Sequence, residues 1–193
     1  MDERLKLIAS SIGPERFKYN EKLKDYTFSK SEGRAESFYI ATTVAELIQI
    51  LDLCHELSVP YLLIGSGTKV VLSNQVKGLV IKNRTSTVKV AGVRGKVGIK
   101  GIGVEEAYIE ADSGVSLKKL NEFVKKEKLQ EISGFSSLNS TVGGAIFLDP
   151  LLRSATQSLK VWSEGELLEI KLENLKRSTI VLSVIFKFKA KAV

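Results

Sequence analysis

The chain has 193 residues, 44% of them hydrophobic, and a net charge of +7. Those totals suit one domain or two small lobes sharing a core, and they exclude a disordered chain. No run of about 18 uncharged apolar residues occurs, and "MDERLKLIASSIG" carries acids where a secretory leader has its apolar core, so a soluble cytoplasmic protein with no membrane partner is expected. Cys54 is the only cysteine, which excludes an intrachain disulfide and a thiolate metal cluster. His55, the only histidine, adjoins it, and neighbours one residue apart point to different parts of a helix surface, so no Cys–His dyad is expected.

Residues 1–25 read as a polar N-terminal arm. Residues 26–193 read as one α+β domain, with a small β-α-β lobe over 26–83 and a larger β-rich lobe over 84–193. In "TTVAELIQILDLCHELSVP" Thr43 and Glu46 have capping-box spacing, and Val44, Leu47, Ile48, Leu51 and Cys54 recur at helical spacing up to Pro60. A strand over Tyr61–Ile64 follows, then "GSGTK", then a strand over Gly78–Lys82. Gly65 and Gly67 permit positive φ, so backbone N–H groups can converge, and Ser66, Thr68 and Lys69 add donors around them. The stretch is either an anion cradle or a plain tight turn.

Between Glu56 and Glu105 there is no acid, while Lys69, Lys77, Lys82, Arg84, Lys89, Arg94, Lys96 and Lys100 supply eight cations. They form either a set of solvated strands or a positive field that draws a polyanion or a phosphorylated small molecule. The region lacks the aromatic array that stacks bases, which argues against nucleic acid. From Ser86 to Ala111 short β-prone runs predict a meander, with turns near Arg94-Gly95 and Gly101 to Gly103. Ser116 then caps a helix whose apolar face is Leu117, Leu120, Phe123 and Val124 and whose outer face is rich in lysine.

The next stretch, "ISGFSSLNSTVGGAIFLD", crowds Ser133, Gly134, Ser136, Ser137, Asn139, Ser140, Thr141, Gly143 and Gly144 together without an acid, a second set of small donors fit for a phosphate or for a plain loop. The last third predicts a hairpin over Glu164-Gly165 and a closing strand. In that strand Ile180, Leu182, Val184, Phe186 and Phe188 share a buried face, and Val181, Ser183, Ile185, Lys187 and Lys189 share the other. Trp162 reads as a core or hairpin residue rather than a ligand platform.

"TVAELIQIL", "VPYLLIGSGTKVVLS", "KGLVIK", "ADSGVSLKKLNEFVKKEKL", "SLNSTVGGAI" and "IVLSVIFKFK", in that order, resemble the FAD-binding domain of the UDP-N-acetylenolpyruvoylglucosamine reductases, within the vanillyl-alcohol-oxidase or p-cresol-methylhydroxylase type of flavin fold. The resemblance covers about Tyr26 to Lys189. It implies a two-lobed α+β FAD-binding domain in which both loops wrap the FAD pyrophosphate through backbone amides. Carried over residue by residue, the cofactor-binding positions are Gly65, Ser66, Gly67, Thr68 and Lys69, then Ser136, Ser137, Leu138, Asn139, Ser140, Thr141, Gly143 and Gly144. Ser137 and Ser140 stand where the family has glycine, Asn139 where it has proline and Lys69 where it has asparagine.

The resemblance also implies non-covalent FAD, since the glycine loop has neither His nor Cys. It implies cytoplasmic chemistry of peptidoglycan synthesis. It does not carry over a catalytic residue: the family's Asn-Ala-Gly-Ala is Phe147-Leu148-Asp149-Pro150 here, and "ENLKRSTIVLS" runs straight into the closing strand where a Tyr-Arg-x-Ser segment is expected. Arg177-Ser178 is either a vestige of that motif or a surface turn. Two functions stay open. One is a stand-alone FAD-binding module without complete reductase activity of its own, which either serves redox chemistry with a partner protein supplying a substrate site or keeps FAD as a structural ligand. The other is a flavin-free binding or scaffold protein using the basic stretch Lys69 to Lys100. Bulky residues at Gly67 or Gly143 are expected to displace the phosphate and leave the fold intact.

Overall fold

The computed structural model describes residues 2–30, 32–72, 74–98, 101–132 and 139–191, without the side chains of 97, 98, 101 and 102. It divides into two compact units, Met1–Thr85 and Ser86–Val193.

In the first unit, helix α1 (Glu3–Ile12) begins at Asp2, whose carboxylate accepts from the Arg4 N–H at 3.0 Å, and buries Leu5, Ile8 and Ala9 at helical spacing. Strand β1 (Phe17–Lys22) then pairs antiparallel with β2 (Arg34–Ala41). Helix α2 (Val44–Glu56) leads to β3 (Tyr61–Ile64), and β4 (Gln75–Asn83) inserts between β2 and β3, parallel to both. The sheet order is β1-β2-β4-β3. Leu23, Ala35, Phe38, Ile64 and Val80 form one core cluster, with the Tyr26 ring 4.4 Å from that of Phe38. Residues 1–25 are therefore no arm. Their buried apolar residues and the pairing of β1 with β2 make them part of this unit.

The Thr43 hydroxyl caps α2 by accepting from the Glu46 N–H at 3.2 Å. The Glu46 carboxylate in turn accepts from the Thr42 N–H at 2.8 Å and the Thr42 hydroxyl at 2.9 Å, and pairs with Arg16 at 3.0 Å. Burial alone would raise this carboxyl, but those donors hold it at about 2, below its ordinary 4.5. A depressed carboxyl stabilises the fold above its unfolded value and loses that contribution as pH falls through the folded one. Glu46→Gln is therefore expected to cost on the order of 2 kcal/mol at neutral pH and nothing near pH ~2, read from urea unfolding across the acid range. A cost independent of pH would contradict it.

The second unit holds β5 (Val88–Gly98), β6 (Gly101–Asp112), α3 (Leu117–Lys126), the short α4 (Val142–Ala145) and α5 (Pro150–Ser154), then β7 (Thr156–Ser163), β8 (Glu166–Ile170) and β9 (Ile180–Lys189). Its sheet runs β5-β6-β9-β7-β8, with each paired strand antiparallel to its neighbour. Ile109, Leu117, Leu120, Val142, Ile146, Leu159, Val184 and Phe186 are fully buried in its core. Glu164 and Gly165 both have positive φ, as a two-residue type I′ turn between Ser163 and Glu166 requires.

Two local expectations change. Arg94-Gly95 is not a turn: β5 runs on through it with only a register shift against β6, because the glycine bends the strand without ending its ladder. In β9, Val181 and Ser183 are buried along with Leu182, Val184, Phe186 and Phe188. The strand lies between β6 and β7, and on its second face the Ser183 hydroxyl donates to Glu110 at 3.0 Å under the pairs Glu110 makes with Lys89 and Lys160.

Candidate functional site

The glycine loop leaves β3 directly after Ile64. Its carbonyls are taken up by its own unit: Gly65 O accepts from the Lys82 ammonium at 2.6 Å, and Gly67 O accepts from the Phe28 N–H at 3.1 Å. The Ser66 and Thr68 hydroxyls are 3.1 Å apart and share a hydrogen bond. Among the described residues no acceptor takes the N–H groups of Ser66, Gly67 or Thr68. Gly67 is buried as a residue while Ser66 and Thr68 are half-buried, so these three donors are left for solvent or a bound acceptor to satisfy. Successive N–H groups presented together, with the carbonyls turned away, form an anion-binding nest. Lys69 is exposed beside them.

Gly67 has a second duty. At φ +76° its Cα lies so close to the Tyr26 carbonyl oxygen that a Cβ would collide with it. The residue is glycine because the unit's own backbone fills the side-chain space, not because a phosphate does. At Gly143 too the chain fills the space, since a Cβ would come within 2.8 Å of Ser113 Cβ and 3.1 Å of Ser113 O. The expectation that bulk at either position leaves the fold intact is overturned.

In the second unit the small-residue stretch is engaged differently. Thr141 caps α4, its hydroxyl accepting from the Gly144 N–H at 3.4 Å. The Val142 N–H goes to Val115 O at 2.8 Å and the Gly143 N–H to Ser113 O at 2.8 Å. Gly143 is thus not a free donor, as expected of it, because it ties the loop to the segment before α3. The N–H groups of Asn139, Ser140 and Thr141 have no acceptor among the described residues, and Thr141 is only 7% exposed. Ser136, Ser137 and Leu138 lie outside the described residues.

Elsewhere the chemistry is muted. Burial pushes the Cys54 thiol up to about 12, so it is no nucleophile at neutral pH. Arg177 and Ser178 are exposed in a turn closed by the Thr179 N–H on Lys176 O at 3.1 Å. Asp149 caps α5, accepting from the N–H groups of Leu151 and Leu152 at 2.9 and 3.0 Å. The basic stretch is less basic than it reads. Lys89, Arg94 and Lys96 face Glu110, Glu106 and Glu105 across the β5–β6 ladder at 3.2, 3.6 and 2.9 Å. Lys82 is buried, and Lys100 lies outside the described residues.

A family described as FAD binding domain matches residues 35–147, more than half the chain and both loops with it. The chain belongs to this FAD binding domain family. A UDP-N-acetylenolpyruvoylglucosamine reductase of Lachnoclostridium phytofermentans is 25% identical over 190 residues, which cover 92% of this chain and 58% of the reductase. The structure of the reductase from Thermus caldophilus superposes with a TM-score of 0.66 at 20% identity, covering 91% of this chain and 62% of that one. That of p-cresol methylhydroxylase gives 0.59 at 12% identity, over 98% and 43%. The fold is thus the vanillyl-alcohol-oxidase or p-cresol-methylhydroxylase type, and the chain spans about half the length of the reductases it matches.

FAD is the cofactor of the FAD binding domain family, and the donor set at Ser66, Gly67 and Thr68 fits its diphosphate. Small residues mark that loop in the sequence, but what shapes it lies elsewhere in the chain. Lys82 reaches it from 17 residues away, and Tyr26 and Phe28 act on it from still farther along the chain, and no local pattern announces such a pairing.

Proposed function

We propose that the chain is a FAD-binding module related to the UDP-N-acetylenolpyruvoylglucosamine reductases, holding FAD non-covalently. In the first unit the N–H groups of Ser66, Gly67 and Thr68 receive the diphosphate, with Gly65 and Lys69 flanking them. In the second unit we assign the same role to the N–H groups of Ser140 and Thr141, and we keep Ser136, Ser137, Leu138, Asn139 and Gly144, their neighbours in sequence, as candidate cofactor-binding residues. The observation that carries this reading is the three successive N–H groups of Ser66, Gly67 and Thr68 without an acceptor among the described residues, in a turn whose Gly65 and Gly67 carbonyls are both occupied.

Bound FAD supplies an acceptor and donor of hydride. The chain's own residues bind and orient it, and we assign none of them a catalytic role. The enolpyruvyl chemistry of the reductases is accordingly incomplete in this chain, and a partner protein in the cytoplasm supplies the substrate site. The cation pairs across β5 and β6 count against the basic stretch as a contact surface, which makes the scaffold reading the weaker one.

Titrating FAD into the purified chain and desalting the mixture tests the reading. Retention of about one flavin per chain is expected, with a dissociation constant in the micromolar range or below, about −8 kcal/mol or better. Passage through the column without visible flavin absorbance would favour the flavin-free scaffold.

A further inference from the structure

Lys82 lies in a place where lysine is rare. It is near the end of β4, a central parallel strand, opposite Ile64 of β3 and Ile40 of β2, and it is 8% exposed. A lysine at such a position ordinarily runs its stem out to water. This one turns its ammonium onto two backbone carbonyls, Gly65 O at 2.6 Å and Tyr26 O at 3.3 Å. Among the described residues no carboxylate pairs with it. Burial pushes its pKa down and the charge of Arg84 adds to that, as expected of a cation with no anion at hand. Carbonyl dipoles alone are poor compensation for a buried charge.

The loop that Lys82 grips is the one whose N–H groups have no acceptor. Drawing Gly65 O toward the ammonium fixes the first peptide of the turn, and because a trans peptide points its N–H away from its carbonyl, the positive charge lies on the side opposite the Ser66 N–H. Charge and donors both attract an anion. We infer that Lys82 is the counter-charge of the cofactor's diphosphate, a positioning residue that sets the loop from behind and supplies the electrostatic half of anion recognition. This rests on the FAD reading above.

The test compares wild type with Lys82→Gln, which keeps N–H donors for the two carbonyls and removes the charge, and with Lys82→Met, which removes both. Circular dichroism checks the fold, and calorimetry measures FAD binding with and without inorganic pyrophosphate as competitor. Both variants are expected to lose at least about tenfold in FAD affinity, and pyrophosphate is expected to displace FAD from wild type alone. Wild-type affinity in Lys82→Gln would overturn the inference and leave FAD binding standing. Failure of wild type to bind FAD would overturn the FAD reading and the inference with it. Should neither variant fold, amine labelling of the wild type by acetic anhydride decides, with exposed Lys77 as internal reference. Pyrophosphate is expected to lower labelling of Lys82 several-fold relative to Lys77, and equal labelling with and without it would overturn the inference.

Discussion

Gly67→Val should strongly destabilise the first unit rather than yield a protein of wild-type stability that has lost its ligand. Valine at φ +76° is strained by about 1–3 kcal/mol before any contact is considered, and its Cβ would collide with the Tyr26 carbonyl oxygen. The Tyr26 segment has little room to retreat. Its N–H is bonded to Leu23 O at 3.0 Å, its ring packs on Phe38, and its carbonyl also receives Lys82. The total cost is expected to be on the order of 4 kcal/mol, a large share of the 5–15 kcal/mol that holds a domain of this kind together. Urea unfolding reads it directly. A variant as stable as wild type that no longer takes up FAD would return Gly67 to the role of a pure phosphate contact.

The second large effect concerns turnover. With FAD saturating, the isolated chain is expected not to oxidise NADPH in response to UDP-N-acetylenolpyruvoylglucosamine. Reduction of an enolpyruvyl ether needs a positioned proton donor and groups that stabilise the developing enolate, and loss of such groups typically costs factors of about 10² or more each. Within the described chain the residues nearest to the expected motif, Arg177 and Ser178, are exposed in a turn and touch nothing that would aim them. The readout is NADPH consumption with and without the enolpyruvyl substrate. Substrate-dependent oxidation at an ordinary enzymatic rate would show that the chain carries a complete active site, with Arg177 and Ser178 the first residues to replace.

The sequence disclosed most where one period governs many residues. Helix α2 and its Thr43 cap, helix α3 and its Ser116 cap, and the Glu164-Gly165 turn could be read because spacing, cap and turn residues agree within each. Helix α1 and strand β1 were hidden: Phe17 is the single buried residue of β1, and an edge strand with one anchor leaves no alternation to see. Glycine misled at Gly95, where a bend inside a ladder looks in sequence like the end of a strand.

The site was legible to the same degree. Small residues flagged the two loops, but which N–H groups are free depends on partners that sequence does not reveal. Gly143 spends its N–H on Ser113, 30 residues earlier, while the loop at Ser66 keeps its donors open because Lys82 and Phe28 take the carbonyls. In sequence Lys82 is simply one of the eight cations of an acid-free stretch, since nothing within β4 tells that its end is covered.

The most direct test of the account is the amide proton spectrum of the isotopically labelled wild-type chain as FAD is added. At saturation the N–H resonances of Ser66, Gly67 and Thr68 are predicted to move downfield together, as donors that gain a charged acceptor do. FAD binding to saturation with those three resonances unmoved would contradict the central claim that this turn holds the diphosphate.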